Sequence, residues 1–288
     1  MSKRNKFFSK KNIIPTIIFV IGFGLCSYPL ISSYIERQHQ LGAVATYTKE
    51  IEKADGKKLE QALEDARNYN NELYNKSSIS TDEIKNDIFS DEYYNSLLDV
   101  TGNSVMGSVE IPSISVNLPI YHGTSDEVLS TAVGHFKNSS LPVGGSNTRA
   151  VLTAHRGSPT SRLFTRLDEV EEGDLFYIRV LDETMAYKVC QIEVIEPNDL
   201  NKLSIRAGED LVTLVTCTPY GINSHRLLVT GERVEYKEET YLSIEKELAS
   251  PRELFFNAIP FIVIILVVIH IIIRLIKKGG KKNEVKKC

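Results

Sequence analysis

Cysteine is scarce: four in 288 residues, too few for a disulfide-dense scaffold. Glycine (17) and proline (10) are too few for a collagen-like chain, and 42% hydrophobic with 25% charged residues excludes wholesale disorder. There is no Cys-x-x-Cys pair and no His-Glu-x-x-His helix, so the common spacings for a bound metal are missing and neither metal nor cofactor is expected. Acid is missing from residues 1–12, which carry +5, and almost missing from 274–288, which carry +6. The net charge of −3 therefore leaves −14 on residues 13–273, a poor electrostatic match for nucleic acid, and no such partner is expected.

Charge is absent from two long stretches, Asn12 to Ile35 (24 residues) and Leu254 to Ile273 (20 residues). About 20 apolar residues at ~1.5 Å rise cross the ~30 Å hydrocarbon core of a bilayer. The second stretch is nearly continuous Ile and Val and reads as a spanning helix rather than a buried core helix; His270 within it reads as an interfacial histidine. The first contains Pro15, Pro29, Ser27 and Ser32 and follows a basic segment, so a signal peptide competes with a retained anchor. Ala43-Val44-Ala45 has cleavage-site character but lies beyond Glu36 and Arg37, and Leu25 before Cys26 is bulky for a lipoprotein signal, which favours the anchor. Positive charge stays on the cytoplasmic side. Both termini are then cytoplasmic and residues 36–253 lie outside. The expected organisation is a basic tail (1–12), a first span or signal anchor (13–35), an extracellular helical region (36–104), a β domain (105–236), a linker (237–253), a second span (254–273) and a basic tail (274–288).

Helical spacing of Leu41, Val44, Tyr47, Ile51 and Ala54, and again of Leu59, Leu63, Ala66, Tyr69 and Leu73, predicts helix over 36–75, broken or bent at Gly56. Residues 77–91 are polar and read as a loop containing one compact apolar element, Asp87-Ile88-Phe89. From Val105 the texture changes to short β-branched runs near 109–111, 116–120, 150–153, 175–180, 185–194, 211–217 and 226–234, separated by Gly, Pro, Asn and Asp. Such spacing predicts an all-β barrel or sandwich. Short helices are expected only near Glu127–Val133 and Ser161–Leu167.

Only Cys190 and Cys217 fall in the exterior, where they form one bridge or leave a thiol free. Cys190, within a strand, reads as a small buried hydrophobe. Cys217 ends a strand before Pro219 and is placed where a nucleophile is exposed. His155 follows another strand, and Arg226 opens the strand after Cys217, so a hairpin returns Arg226 beside Cys217. A thiol with pKa ~8.5 needs a base or an electropositive setting to react at neutral pH. An imidazole supplies it and later protonates a leaving amine. Arg226 cannot give up its proton but can hold a carbonyl or oxyanion. His122, His135 and His225 remain candidate bases on position alone, and an inert thiol on a membrane-tethered binding module remains the non-enzymatic reading.

Thr213-Leu214-Val215-Thr216-Cys217, with Thr218-Pro219-Tyr220-Gly221 and His225-Arg226-Leu227-Leu228-Val229 after it, resembles the active-site signature of sortases. Thr153-Ala154-His155-Arg156-Gly157 resembles the sortase histidine motif. The likeness covers roughly residues 80–235. Two membrane segments and a long region before the β domain are similar to class C, the pilus-assembling sortases of Gram-positive bacteria. The resemblance implies a mainly β fold, the closed sortase barrel with short helices. It implies that Cys217 cleaves an LPXTG-like sorting signal between Thr and Gly through a thioester, with His155 as acid/base and Arg226 as stabiliser. A lysine of the next pilin subunit then resolves the thioester as an isopeptide bond. It also implies a lid, with Asp87 paired to Arg226 and Phe89 over Cys217, although Ile88 stands where the family has proline and removes its φ restraint. A packing anchor is the competing reading of Phe89. A housekeeping sortase that attaches proteins to cell-wall peptide fits the lid-like segment and C-terminal anchor less well, and a hydrolytic thiol protease of the envelope differs in yielding only free carboxylate.

Overall fold

The computed structural model describes residues 10–77, 88–157 and 162–244, with isolated helical positions between 258 and 267. The chain divides into two compact units, residues 33–248 and a unit made of 1–32 with 249–288. In the latter the described part is mainly the first portion of helix α1 (Lys10–Lys53), where Ile17, Ile21, Leu25, Tyr28 and Ile31 are exposed. Among the described residues no helix is long and apolar enough to cross a membrane; most of 254–273 lies outside them.

In the larger unit α1 ends at Lys53 and α2 (Gly56–Ser77) begins at the glycine where a break is predicted. A short α3 (Asp91–Ser96) is capped by Ser90, whose side chain accepts from the Tyr93 N–H. Eight strands follow: β1 (Val105–Ile111), β2 (Val116–His122), β3 (Val133–His135), β4 (Thr148–Thr153), β5 (Leu175–Val180), β6 (Glu183–Ile195), β7 (Asp210–Thr218) and β8 (His225–Val234). They close into a barrel of order β1-β2-β3-β4-β7-β8-β6-β5. Helix α4 (Asp126–Thr131) joins β2 to β3, and α5 (Glu238–Ser243) follows β8. Each β-branched run of the sequence became a strand; the three-residue β3 is too short to show a pattern. Of the helix expected at Ser161–Leu167, the described residues from 162 onward form turns and a 3-10 turn at Leu167–Glu169 instead. A run that short cannot nucleate alone, and Arg166 binds the Ile114 carbonyl (3.3 Å) and the Glu169 carboxylate (2.8 Å) instead.

Alternation along the strands sorts the side chains. Val212, Leu214, Leu227, Val229, Leu152, Phe176 and Ile178 belong to the main core. Val151, Val215, Leu228 and Ile195 form a separate cluster on the opposite face of β4, β7, β8 and β6. The helices dock through buried polar pins. Tyr47 Oη donates to the Met106 carbonyl (2.9 Å) and accepts from the Leu181 N–H (2.9 Å), and Asn70 exchanges two bonds with the Leu141 backbone (2.7 and 3.0 Å).

His135 is fully buried; its Nε2 donates to the Ser140 carbonyl (2.8 Å) and its Nδ1 accepts from Tyr94 Oη (2.8 Å). Burial holds its pKa down at about 4. Below the ordinary value near 6.5 the unfolded chain takes up a proton that the folded chain refuses. Stability from this group is therefore complete above about pH 6.5 and falls by about 3 kcal/mol as pH drops to about 4. Urea unfolding of the parent should show that slope and His135→Asn should lose it; an equal slope in both disproves the assignment.

Candidate active site

β4 and β7 run parallel, with Thr153 opposite Val215 as the last register pair. Two residues further on, His155 is level with Cys217. β7 and β8 are antiparallel, with Cys217 directly opposite Arg226. The three side chains thus come from adjacent strands at one level of the barrel. They share the parity of Val151, Val215 and Leu228, which places them on the outer face at the end of that second apolar cluster. Phe136 and Leu203 pack against the same cluster, and Leu203 belongs to the 3-10 turn Leu200–Leu203 between β6 and β7.

Cys217 is half-buried and free. His155 and Arg226 are also half-buried. Arg226 Nη1 donates to the carbonyls of Asn223 (3.3 Å) and His225 (3.1 Å), and its other guanidinium nitrogens make no hydrogen bond among the described residues. Backbone carbonyls therefore hold the head group in place while donors remain for an incoming oxygen. The other histidines are engaged elsewhere. His122 and His135 are buried against backbone carbonyls, and burial lowers the pKa of both. His225 lies one residue out of phase with Arg226, with Nδ1 2.8 Å from Ser224 Oγ and Nε2 3.3 Å from Glu196.

Cys190 is also free, so no bridge joins the two cysteines, but it is exposed rather than buried. Alternation along β6, with Lys188 exposed and Val189 buried, turns Cys190 outward; the pairing with β8 slips between Val189 and Gln191, leaving Cys190 unpaired with its Sγ 3.4 Å from the Thr230 carbonyl. Phe89 is buried on the helical layer. Its ring lies 4.3 Å from that of Tyr69 and 5.7 Å from that of Tyr93, with Lys76 Nζ 4.7 Å above it. Asp87 lies outside the described residues.

Sequence reasoning passed over the residue beside His155. Arg156 is buried, pairs with Asp168, and donates from Nη1 to Thr218 Oγ1 (3.1 Å), while Tyr220 lies against its guanidinium (5.9 Å). Its position next to His155 was the one available signal.

The Sortase domain family model matches residues 109–234. Sortase C of Streptococcus pneumoniae, a crystal structure described for its catalysis and pilin substrate specificity, superimposes with a TM-score of 0.61 at 44% identity over 68% of this chain and 97% of that one. The lid mutant of Streptococcus agalactiae sortase C1 does so with a TM-score of 0.60 at 43% identity over 66% and 96%. Sortase D of Bacillus subtilis is 26% identical over 230 residues, which is 78% of this chain and 99% of its own length.

Proposed function

Because this chain belongs to the sortase family of cysteine transpeptidases, we propose that it is a membrane-anchored, class C enzyme that joins pilin subunits. The single observation that carries the chemistry is the strand register that brings Cys217, His155 and Arg226 to one level of the outer face. The class rests on the sortase C neighbours, one of them described for pilin specificity. The anchoring rests on the charge-free stretches 12–35 and 254–273 with their basic flanks, and on the exposed apolar side chains of α1.

In this reading the Cys217 thiolate attacks the carbonyl carbon of the threonine in an LPXTG-like signal. Arg226 holds the carbonyl oxygen as it gains negative charge. The carbon–nitrogen bond to glycine breaks, His155 gives its proton to the leaving amine, and a thioester remains on Cys217. The ε-amine of a lysine on the next subunit attacks that thioester and loses its proton to His155. The sulfur leaves as thiolate, and the two subunits share an isopeptide bond.

Asp87 and Phe89 are the proposed lid of this site. The placement of Phe89 on Tyr69 and Tyr93 favours its second reading, a packing anchor between α2 and α3.

The test is intact-mass spectrometry of the full chain in detergent after incubation with an LPXTG-type peptide. The expected product is a mass increase equal to the cleaved acyl peptide. An added lysine-like amine should discharge it as an amide; discharge only as carboxylate would make the protein a hydrolase. The lid reading requires Phe89→Ala to accumulate adduct and alkylate at Cys217 several-fold faster; the packing-anchor reading, favoured by the contacts with Tyr69 and Tyr93, requires an unchanged alkylation rate.

A further inference from the structure

Regular pairing of β4 with β7 stops at Thr153 and Val215, so His155 is not itself held by the ladder. Beyond that point two side-chain ties continue the register. Thr216 Oγ1 donates to the Ala154 carbonyl (2.8 Å), and Arg156 Nη1 donates to Thr218 Oγ1 (3.1 Å). Ala154 and Arg156 flank His155; Thr216 and Thr218 flank Cys217. The two residues of the reaction are therefore bracketed on both sides by cross-strand bonds.

Arg156 is built to be immobile. Its side chain is only 4% exposed and forms an ion pair with Asp168, in the middle of the 3-10 turn at Leu167–Glu169. The Tyr220 ring lies against the guanidinium from the β7–β8 turn, and Gly157, at φ +84°, keeps the ring's space open, since a Cβ there would come within 3.2 Å of it. One planar fork thus engages three residues on two other pieces of chain, which an ammonium on a flexible stem cannot do in the same way. Because successive residues point to opposite faces, Arg156 works from behind the site.

We propose that Arg156 is a positioning residue, clamped by Asp168 and Tyr220, whose bond to Thr218 sets the spacing of the His155 imidazole and the Cys217 sulfur. The proposal rests on the catalytic reading above, and Arg156 touches neither substrate nor the reacting atoms. A displacement of the order of an ångström at such a pair is enough to lower turnover by about a hundredfold.

The experiment compares the full-length parent with Thr218→Val, which keeps the shape and removes the acceptor, Thr218→Ser, which restores it, and Arg156→Lys. The measured quantities are kcat and KM for an LPXTG-type peptide and the pH dependence of Cys217 alkylation. Thr218→Val and Arg156→Lys should lose about ten- to a hundredfold in kcat with KM within twofold, and their alkylation profiles should move toward that of His155→Ala. Thr218→Ser should recover both. A Thr218→Val protein with the parent's kcat and alkylation profile, or one that loses only KM, overturns the proposal. If Arg156→Lys does not fold, Thr218→Val decides alone. A parent that forms no acyl-enzyme defeats the catalytic reading instead, and the substrate-free alkylation profile still reports on the tie.

Discussion

Turnover of the sorting peptide should fall by at least about 10⁴-fold in Cys217→Ala and by a similar factor in His155→Ala, and the double variant should lose no more than the worse single one. The reason is the division of labour in the proposed mechanism. Without the thiol there is no atom to carry the acyl group. Without the imidazole the sulfur lacks its base, and the leaving amine lacks a proton donor. Removing the second member of a pair that acts as one unit removes nothing further. Arg226→Ala belongs to a different category, since it should cost about 10²–10³ in kcat, the loss typical of one oxyanion donor. Arg226→Lys should not restore it, because the head group is seated by two carbonyls 3.1 and 3.3 Å from one nitrogen while other donors stay available. Single-turnover release of the glycine-bearing fragment measures all five. Multiplying losses in the double variant would mean that Cys217 and His155 act independently, contrary to their shared level in the barrel.

Gly107→Ala should cost about 3 kcal/mol or more, roughly 6–12 °C in Tm for a unit of this size. Gly107 sits in β1 facing β5. A Cβ there would overlap the Arg179 carbonyl oxygen and lie 2.8 Å from Val180 Cγ2. The carbonyl is backbone and β5 is paired with strands on both sides, so neither neighbour can yield. The β1–β5 seam consists of three residue pairs, from Ser108–Arg179 to Glu110–Tyr177, braced by the Arg179–Glu110 ion pair at 3.2 Å and by Tyr241 Oη donating to Glu110 at 3.0 Å. Forcing these strands apart opens the barrel where it closes. Gly42→Ala, in α1 with nothing within 4 Å of the added methyl, is the control and should be neutral or stabilising. Calorimetric melting of the three proteins checks both statements, and a Gly107→Ala protein melting with the parent would refute the first.

These two cases also mark what could be read in advance. Seven of the eight strands were legible because they are β-branched runs bounded by turn residues, β3 being too short to show one, and the Arg226–Cys217 pair was legible because a hairpin is local. The strand order was not. β4 lies beside β7, and the residues flanking His155 and Cys217 are tied across 62 positions of sequence, a distance that no periodicity encodes. His155 was therefore singled out from the other histidines by family likeness rather than by spacing. The expectation of a buried Cys190 rests on residue type alone, whereas alternation with exposed Lys188 and buried Val189 turns it outward. The Arg156–Asp168 clamp joins two segments that are loop-like in sequence, where neither residue announces a partner.

The parallel pairing of β4 with β7 has a consequence for the birth of the enzyme. Parallel strands cannot be joined by a tight turn, and contacts between distant parts of a chain form late because closing the loop between them costs entropy. On the proposed reading, Cys217 of a newly made chain therefore lacks its partners His155 and Arg226 until the sheet has closed around its last non-local seam. In the proposed mechanism reactivity and completed folding then arrive together, which spares the thiol from oxidants and stray acyl donors during the interval when it is most accessible. Pulse alkylation during refolding reads this directly: Cys217 labelling at neutral pH should be slow in the unfolded chain and accelerate in step with barrel formation.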